Sequence, residues 1–370
     1  MLTSYTGSNV IAVNATALDK SGALTILKQF IKHASLDHRY HYFCFIPKGL
    51  NLQKSNNVSF VEVSKLGWFK RILWDSYFFE KQLKTHGVNP VKIISLQNTS
   101  INSDKEQIIY LHQPLPFSSV RWSFLKKEQF KLFLYKHFYK FFILLYVRNN
   151  TVFVVQTNWM KSALCSTSNI NENRVHVIKP DIELPNVVPD DNPKKTASIH
   201  HTLLYPATPL FYKNHQIILD SLKIIKARNE ISNIKFQVTF KPEEYKSFSE
   251  SVNQYGLNDN VDYLGTIPYG ELIQKYQSAS MVLFPSYVET FGLPLAEGAT
   301  LRKPVLCSDF PFSRDVLNGY PGATYLDYKD PLAWADAITN TLNKIKCDSL
   351  HNGDFTFKPS SSWKDFFKLI

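Results

Sequence analysis

The sequence predicts an α/β protein of two domains, each built on a parallel β-sheet covered by helices. The chain has 370 residues, which is more than one hydrophobic core usually organises. Short apolar runs alternate with helical segments, as they do where a parallel sheet is covered on both faces. A polar stretch at 180–200 with four prolines interrupts this alternation, which restarts beyond it. Such a stretch is typical of a linker.

The first half of the chain contains six strand-like runs, at 10–13, 42–46, 58–63, 91–96, 108–111 and 153–156. The first run is followed by a polar turn with Ser21 and Gly22, and then by a segment in which Leu24, Leu27 and Phe30 share one helical face. The same helical spacing recurs at 72–86. This order predicts an N-terminal domain at 1–182.

Beyond a linker at 183–200, the alternation resumes. Strand-like runs lie at 203–205, 234–240, 261–264, 281–284 and 304–307, and helical segments at 216–227, 270–279, 293–299 and 331–345. They predict a C-terminal domain at 201–347. A final segment, 348–370, places Trp363, Phe366 and Phe367 on one helical face after a serine cap. That apolar face needs a surface on which to dock, and we expect it to return to the N-terminal domain.

Composition and charge restrict the class of protein. With 44% hydrophobic and 14% aromatic residues and 13 glycines, the chain is neither collagen-like nor disordered. The net charge of +11 calls for an anionic partner, which could be nucleic acid, an anionic lipid or a phosphorylated substrate. The four cysteines lack metal-ligand or redox spacing, and the N-terminus lacks a secretory pattern. We therefore expect a cytoplasmic location.

The largest group of candidate functional residues lies at 284–309, where Glu289 and Glu297 flank the tripeptide Gly292-Leu293-Pro294. The apolar run before them ends a strand, which is where open α/β sheets bind ligands. Glycine permits close backbone approach and proline suits the first helical turn, so helix amides near 293–295 can face a diphosphate. Two carboxylates beside that anion site suit hydroxyl recognition. Alternatively, Glu297 only offsets the helix dipole and Glu289 is a solvated loop residue.

This segment resembles the nucleotide-sugar signature of the family-4 glycosyltransferases, which are retaining enzymes of the GT-B fold. The signature is a Glu followed by Phe-Gly-Leu-Pro-x-x-Glu, and the matching residues are Glu289, Phe291, Gly292, Leu293, Pro294 and Glu297. The resemblance implies that Glu289 lies by the transferred sugar as a catalytic residue and that Glu297 holds the donor ribose. It also implies two Rossmann-like domains facing across a cleft, with the C-terminal helix crossing back to the first.

A second match lies at 205–219, where the family has a strand, a loop and a lysine before a helix. Lys213 fits, and the resemblance implies that it contacts the donor phosphates. The family usually adds an arginine shortly after the strand, but here Ala207 and Thr208 stand at that place. Thr208 is therefore a donor-site candidate, and Lys241, just after the run at 234–240, could supply the second positive charge.

The N-terminal half matches the family more weakly. Ser21 and Gly22 resemble its glycine-containing loop over the cleft. His112 and Gln113 follow an apolar strand, and the resemblance suggests that His112 contacts the sugar or positions the acceptor. A structural histidine bonded to the backbone is the alternative. Asn158, in a family-like segment at 155–161, could line the same cleft.

Residues 121–148 carry seven Lys/Arg and one acidic residue, and hence +6 of the chain's net +11. The lysines interrupt the apolar residues too often for a membrane span. Interleaved aromatics and lysines instead fit an interfacial helix attracted to anionic lipid. The alternative is a core-facing helix with a solvated lysine face.

Together these features predict a retaining hexosyltransferase that moves a sugar from a nucleotide diphosphate sugar to a glycan acceptor. The family favours uridine as the base, and the helix at 121–148 suggests a lipid-linked acceptor of surface polysaccharide assembly, such as lipopolysaccharide, at the inner face of the cytoplasmic membrane. No cofactor and no metal are expected, and no nucleic acid. The alternatives are a nucleotide-sugar epimerase of the same fold, a basic nucleic-acid-binding protein and an inactive transferase homologue.

Overall fold

A computed structural model describes residues 9–182, 184, 200–347 and 361–370. The described residues form two compact units, one reaching Asp181 and including the C-terminal residues from 361, the other beginning at Ile182. The predicted linker 183–200 lies outside the described residues apart from Leu184 and His200, as does the part of segment 348–370 before residue 361.

The first unit contains a seven-stranded parallel sheet of order β3-β2-β1-β4-β5-β6-β7. Its strands are β1 (Val10–Asn14), β2 (His41–Pro47), β3 (Val58–Val63), β4 (Lys92–Ser95), β5 (Glu106–Leu111), β6 (Val152–Val155) and β7 (Val175–Val177). Its helices are α1 (Ser21–Ala34), α2 (Trp68–Leu73), α3 (Phe79–Thr85), α4 (Lys127–Leu144), α5 (Asn158–Thr167) and α12 (Trp363–Phe366). The strand order reverses between β1 and β4, which makes this pair the topological switch point of the sheet.

The second unit contains a six-stranded parallel sheet of order β10-β9-β8-β11-β12-β13. Its strands are β8 (His201–Tyr205), β9 (Ile234–Val238), β10 (Val261–Tyr263), β11 (Met281–Phe284), β12 (Val305–Ser308) and β13 (Ala323–Leu326). Its helices are α6 (His215–Ala227), α7 (Lys246–Tyr255), α8 (Tyr269–Ser278), α9 (Leu293–Thr300), α10 (Pro311–Val316) and α11 (Pro331–Lys346). Here the switch point lies between β8 and β11. Both units are Rossmann-like, and the predicted fold class is confirmed.

Alternating residues of the central strands pack into separate hydrophobic cores. In β1, Ile11 and Val13 belong to one hydrophobic cluster of the first unit, while Val10 and Ala12 belong to another. Because both faces are covered, the strands are continuous apolar runs, and that is why the sequence revealed them.

Several local features differ from the sequence prediction. The helix expected at 72–86 begins earlier and is interrupted by a π-helical turn at Trp74–Phe78, which periodicity does not reveal. Ser21 and Gly22 lie in the first turn of α1 rather than in a turn before it, because the extended Lys20 is the N-cap. The sequence prediction lacks the three-residue strand β7, and it also lacks α5, α7, α10 and β13.

The terminal helix α12 packs within the first unit. Ser362 and Asp365 form a capping box, with the Ser362 amide donating to Asp365 at 2.9 Å. The Trp363 indole stacks on the Tyr110 ring, with centroids 5.4 Å apart, and its Nε1 donates to Gln29 Oε1 at 2.9 Å. The apolar face predicted for this segment therefore docks on α1 and β5.

No helix within the described ranges combines the length and the apolar character needed to cross a bilayer.

Candidate functional site

The candidate site lies at the switch point of the second sheet, where the loops after β8 and β11 meet. These two strands are paired in parallel, so their carboxyl ends lie at the same edge of the sheet. The loop after β8 carries Lys213, and the loop after β11 carries Glu289. The backbone joins the two loops, since the amide of Tyr287 donates to the Tyr212 carbonyl at 3.1 Å.

Lys213 and Glu289 form an ion pair between Nζ and Oε1 although they are 76 positions apart. Their side chains are 16% and 15% exposed, so the pair is accessible to a ligand yet largely shielded from water. Ser286 Oγ donates a second hydrogen bond to the same Glu289 oxygen, at 2.8 Å. The Lys213 ammonium also lies 5.8 Å from the centre of the Phe284 ring. The structure thus brings together two of the residues predicted from separate motifs.

The loop that carries Lys213 is fixed by its own backbone. A 3-10 turn at Phe211–Lys213 ends at Asn214, which takes a left-handed conformation with φ 58°, a region that asparagine tolerates better than most residues. The Tyr205 hydroxyl donates to the Lys213 carbonyl at 2.8 Å, and Asn214 Nδ2 donates to the Tyr328 carbonyl at 2.8 Å. Lys213 is therefore presented from a rigid turn.

Glu297 is buried in α9, with 6% of its surface exposed. Two tyrosine hydroxyls donate to its carboxylate: Tyr276 to Oε2 at 2.7 Å and Tyr269 to Oε1 at 3.0 Å. Burial raises the pKa of Glu297, while the two hydroxyl donors act to lower it. The two hydroxyls thus hold the carboxylate in one orientation.

The turn into α9 has the predicted glycine and proline roles. Gly292 has φ +82°, and a Cβ there would lie 3.0 Å from the Phe284 ring, so glycine is required for both conformation and space. Phe291 beside it is buried, and Pro294 lies in the first helical turn after Leu293.

The amide prediction needs a correction. Pro294 has no N–H, and the Leu295 amide donates to the Gly292 carbonyl at 2.9 Å. Of residues 293–295, only the Leu293 amide lacks a backbone acceptor within the part of the chain that is described. The turn therefore offers one of these amides to an anion instead of several.

Thr208 and Lys241 lie outside this cluster of contacts. Thr208 is exposed, and its carbonyl accepts from the Leu210 amide at 2.8 Å. Lys241 is exposed, and its amide donates to Glu244 Oε2 at 2.7 Å. Neither side chain forms a hydrogen bond or ion pair with Lys213 or Glu289 among the described residues.

The candidates of the N-terminal half lie in the first unit. His112 follows β5, and its Nε2 is hydrogen-bonded to the Leu96 carbonyl at 3.0 Å. Burial lowers the pKa of His112 to about 4, so the ring is neutral at pH 7. A bond to a carbonyl places the proton on Nε2 and leaves Nδ1 as an acceptor.

The other four candidates of this unit lie on other segments, with Ser21 and Gly22 together in the first turn of α1. The Gln113 side chain accepts from the Leu115 amide at 3.3 Å, and Asn158 is the exposed first residue of α5. Gly22 is exposed in α1, where a Cβ would meet no heavy atom within 4 Å. That open space distinguishes Gly22 from Gly292, whose substitution the fold forbids.

Sequence reasoning missed the residues that orient the carboxylates, namely Ser286, Tyr269 and Tyr276. A signal was present, because Tyr269 and Tyr276 are seven positions apart and lie on one face of α8. That spacing does not predict that both tyrosines contact Glu297. Within the described ranges, no group of three or more His, Cys, Asp or Glu side chains converges as a metal site would.

Part of the chain is similar to known glycosyltransferases. Residues 191–351 match the family described as "Glycosyl transferases group 1". Among curated proteins, the O-antigen chain mannosyltransferase RfbU of Salmonella typhimurium is 24% identical over 213 residues, which is 56% of this chain and 56% of that protein. The chain thus spans about half the length of the curated relatives it matches.

Solved structures share the fold over most of the chain. WaaG, a glycosyltransferase involved in lipopolysaccharide biosynthesis, has a TM-score of 0.69 at 13% identity and covers 92% of each chain. Anabaena HepE, solved with UDP and glucose, has a TM-score of 0.62 at 11% identity and covers 91% of this chain and 90% of its own. At these identities the likeness concerns the fold alone.

Proposed function

We propose that this chain transfers a sugar from a nucleotide diphosphate sugar to a hydroxyl of a glycan acceptor, because residues 191–351 match the group 1 glycosyltransferases and the fold is that of GT-B enzymes. The observation that carries the proposal is the Lys213–Glu289 pair at the switch point of the second sheet. The relatives are named for O-antigen and lipopolysaccharide synthesis, which supports an acceptor of surface polysaccharide assembly and an enzyme of the hexosyltransferase class.

The donor site follows from the charges at this edge of the sheet. In the free protein the Lys213 ammonium is neutralised by Glu289. When a nucleotide sugar binds, the diphosphate takes over Lys213 together with the Leu293 amide, and Glu289 is released toward the sugar. Glu297, oriented by Tyr276 and Tyr269, accepts hydroxyl groups of the ribose. HepE binds UDP, which supports a uridine donor.

Catalysis in this scheme rests on charge stabilisation and positioning. The C–O bond between sugar and diphosphate breaks while the acceptor oxygen bonds to the same carbon from the same face, which retains configuration. The leaving phosphate oxygen takes the acceptor proton, and Lys213 stabilises the charge that develops on the diphosphate. In the first unit, His112 accepts a sugar hydroxyl at Nδ1. No metal or other cofactor takes part, because the protein's own cation and amide neutralise the leaving group.

Helix α4 supports a lipid-linked acceptor at the cytoplasmic face of an anionic membrane. Of its 18 residues only Tyr139 and Ile143 are buried, and Phe130, Phe138 and Phe141 are 48%, 53% and 61% exposed. Monomeric proteins rarely leave so many neighbouring aromatics in water. Beside them lie the lysines of residues 121–148, whose charge suits anionic headgroups.

Thermal unfolding in the presence of nucleotides tests the donor site. A ligand at 100 times its Kd should stabilise the protein by roughly 2.7 kcal/mol, and we expect such a shift with one nucleotide diphosphate family in wild type but not in Glu297→Ala. The absence of a shift with every nucleotide, in folded protein, would overturn the donor site. Incubation with donor alone separates transfer from epimerisation, because only an epimerase would convert the donor sugar without an acceptor. A salt-sensitive gel shift of nucleic acid would favour a nucleic-acid-binding protein.

A further inference from the structure

The first unit has its own pocket at the switch point of its sheet. The pocket is a partly open cleft lined by polar and aromatic side chains. It lies where the strand order reverses between β1 and β4, the position at which open α/β sheets bind ligands. None of the catalytic, donor-site or acceptor-site residues predicted from the sequence lines it.

The base of this pocket is a buried polar network centred on Asp75. Asn14 and Gln97 donate to Asp75 Oδ1 at 2.9 and 3.0 Å, and Thr99 donates to Oδ2 at 2.7 Å. Asn14 ends β1, and Gln97 and Thr99 follow β4. The residues that hold the carboxylate therefore lie at the end of β1 or just after β4, the two switch-point strands. Among the described residues Oδ2 accepts one hydrogen bond, so it can accept another.

The backbone around Asp75 is specialised. Asp75 is the second residue of the π-helical turn at Trp74–Phe78, and single π turns inside helices occur frequently at functional sites. Trp68, Arg71 and Asp75 all line the pocket, and their positions along one helical face run from the solvent toward the base. Asp75 is 6% exposed and Trp68 is 36% exposed.

The lining decides the class of ligand. Arg71 is the cationic lining residue and Asp75 the anionic one, so the pocket has no net charge to attract a free anion. Carboxylate and amide groups recognise hydroxyls, and the aromatic rings of Trp68 and Phe142, in edge contact with centroids 5.0 Å apart, present apolar faces. A neutral sugar has both kinds of surface.

The position of the pocket decides what the sugar is attached to. Phe142 belongs to α4, the helix whose neighbouring aromatics are exposed. An apolar tail leaving the pocket past Phe142 would therefore meet further apolar side chains instead of water.

We propose that this pocket binds the neutral sugar head of an amphiphilic glycoside, with Asp75, Gln97 and Thr99 contacting hydroxyls and Trp68 and Phe142 contacting the sugar face and the start of the apolar tail. This rests on the proposed function, for which the glycoside is the acceptor, and it specifies the acceptor's chemical class and its site.

Calorimetric titration of the full chain with n-hexyl glycosides of glucose, galactose and mannose, below their micelle concentrations, tests the proposal. We expect saturable binding of at least one, and much weaker binding of methyl glycosides and 1-hexanol. Asp75→Asn, which keeps the shape, and Phe142→Ala should each weaken it by at least about tenfold. Tyr77→Ala, an exposed neighbour on the same π turn that does not line the pocket, should change it by less than about twofold.

The proposal is overturned if no hexyl glycoside binds, or if both pocket variants bind as wild type does. Phe142→Ala keeps the test decisive if Asp75→Asn does not fold, because Phe142 is only partly buried. The same samples are titrated with nucleotide diphosphates. Binding of nucleotide without glycoside would contradict the pocket proposal and support the donor site. Binding of glycoside without nucleotide would contradict the donor site and support the pocket proposal.

Discussion

The hydroxyl of Tyr276 donates to Glu297 Oε2 at 2.7 Å, joining α8 to α9 in the interior of the second unit. Burial of both partners raises the pKa of the Tyr276 hydroxyl well above its ordinary value, and the adjacent carboxylate raises it further. The tyrosine therefore always donates, and together with Tyr269 it opposes the rise that burial causes in the pKa of Glu297.

Removal of this hydroxyl in Tyr276→Phe should destabilise the protein. Removing a donor from a buried acceptor costs about 1–3 kcal/mol, and urea unfolding should show a loss in that range. The matched control is Tyr255→Phe, in which a tyrosine–carboxylate bond to Asp220 at 3.0 Å lies in a more exposed place and should contribute less than about 1 kcal/mol. Equal losses in the two variants would contradict the role of burial.

A second prediction concerns pH and Asp75. Burial raises the pKa of Asp75 to about 6 from an ordinary 3.8, against the opposing effect of its hydrogen bonds and of Arg71. Between these two values the folded state binds more protons than the unfolded state, so this group makes the unfolding free energy fall as the pH rises. Complete passage through the window corresponds to about 3 kcal/mol.

The measurement is the unfolding free energy of wild type and Asp75→Asn in urea at several pH values from 4 to 7. The difference between the two proteins isolates Asp75 from every other titrating group, including Glu297. Wild type should lose stability relative to the variant as the pH rises, with most of the change complete a little above pH 6. A difference that is independent of pH would show that Asp75 has an ordinary pKa.

The fold was predictable because burial on both sheet faces makes the strands apolar throughout. Runs such as Met281–Phe284 were located to the residue. The π turn at Trp74–Phe78 was not, because its extra residue per turn leaves the apolar spacing of 72–86 readable as one helix. The short β7 depends on pairing with β6 rather than on a long apolar run of its own.

The site was predictable only in part. Glu289 and Glu297 stand in a local motif, so sequence spacing reveals them. The pairing of Lys213 with Glu289 depends on β8 lying beside β11, a strand order that no local pattern encodes. The Asp75 network has the same origin, since its donors follow strands that are adjacent only in space. Contacts set by sheet topology are therefore the part that sequence reasoning misses.

Lys213 and Lys241 can be separated by mutation. Lys213→Met should weaken binding of the nucleotide diphosphate by at least about tenfold, since a charge-assisted hydrogen bond to phosphate contributes about 1.5–3 kcal/mol. Lys241→Met is the matched control, because this lysine is exposed and an exposed charge contributes less than about 1 kcal/mol. Equilibrium dialysis with labelled nucleotide measures both. A larger loss for Lys241 would make it the main phosphate contact.

Removal of divalent metal should leave transfer intact. In the proposed scheme Lys213 and the Leu293 amide neutralise the leaving diphosphate, so dialysis against a chelator should change kcat by less than about twofold. Turnover of donor by chelated protein, with and without added Mg²⁺ or Mn²⁺, gives the comparison. Activity that disappears with the chelator and returns with one ion would assign the neutralising charge to that metal.

The final prediction concerns membrane association through α4. Each lysine near an anionic surface contributes about 1 kcal/mol, so replacing the exposed Lys127 and Lys131 by Gln together should weaken binding to phosphatidylglycerol vesicles by about 30-fold. Phe138→Ser and Phe141→Ser should weaken it as well, because their exposed rings would enter the interface. Sedimentation with vesicles measures the bound fraction.

The two pairs of changes differ in how they respond to salt. Raised salt should weaken vesicle binding of wild type and of the serine variants, but it should have less effect on the glutamine variant, whose binding depends less on charge. Equal binding of wild type to neutral phosphatidylcholine vesicles would show that the lysines only solvate the helix, and the lipid-linked acceptor would then lose its main support.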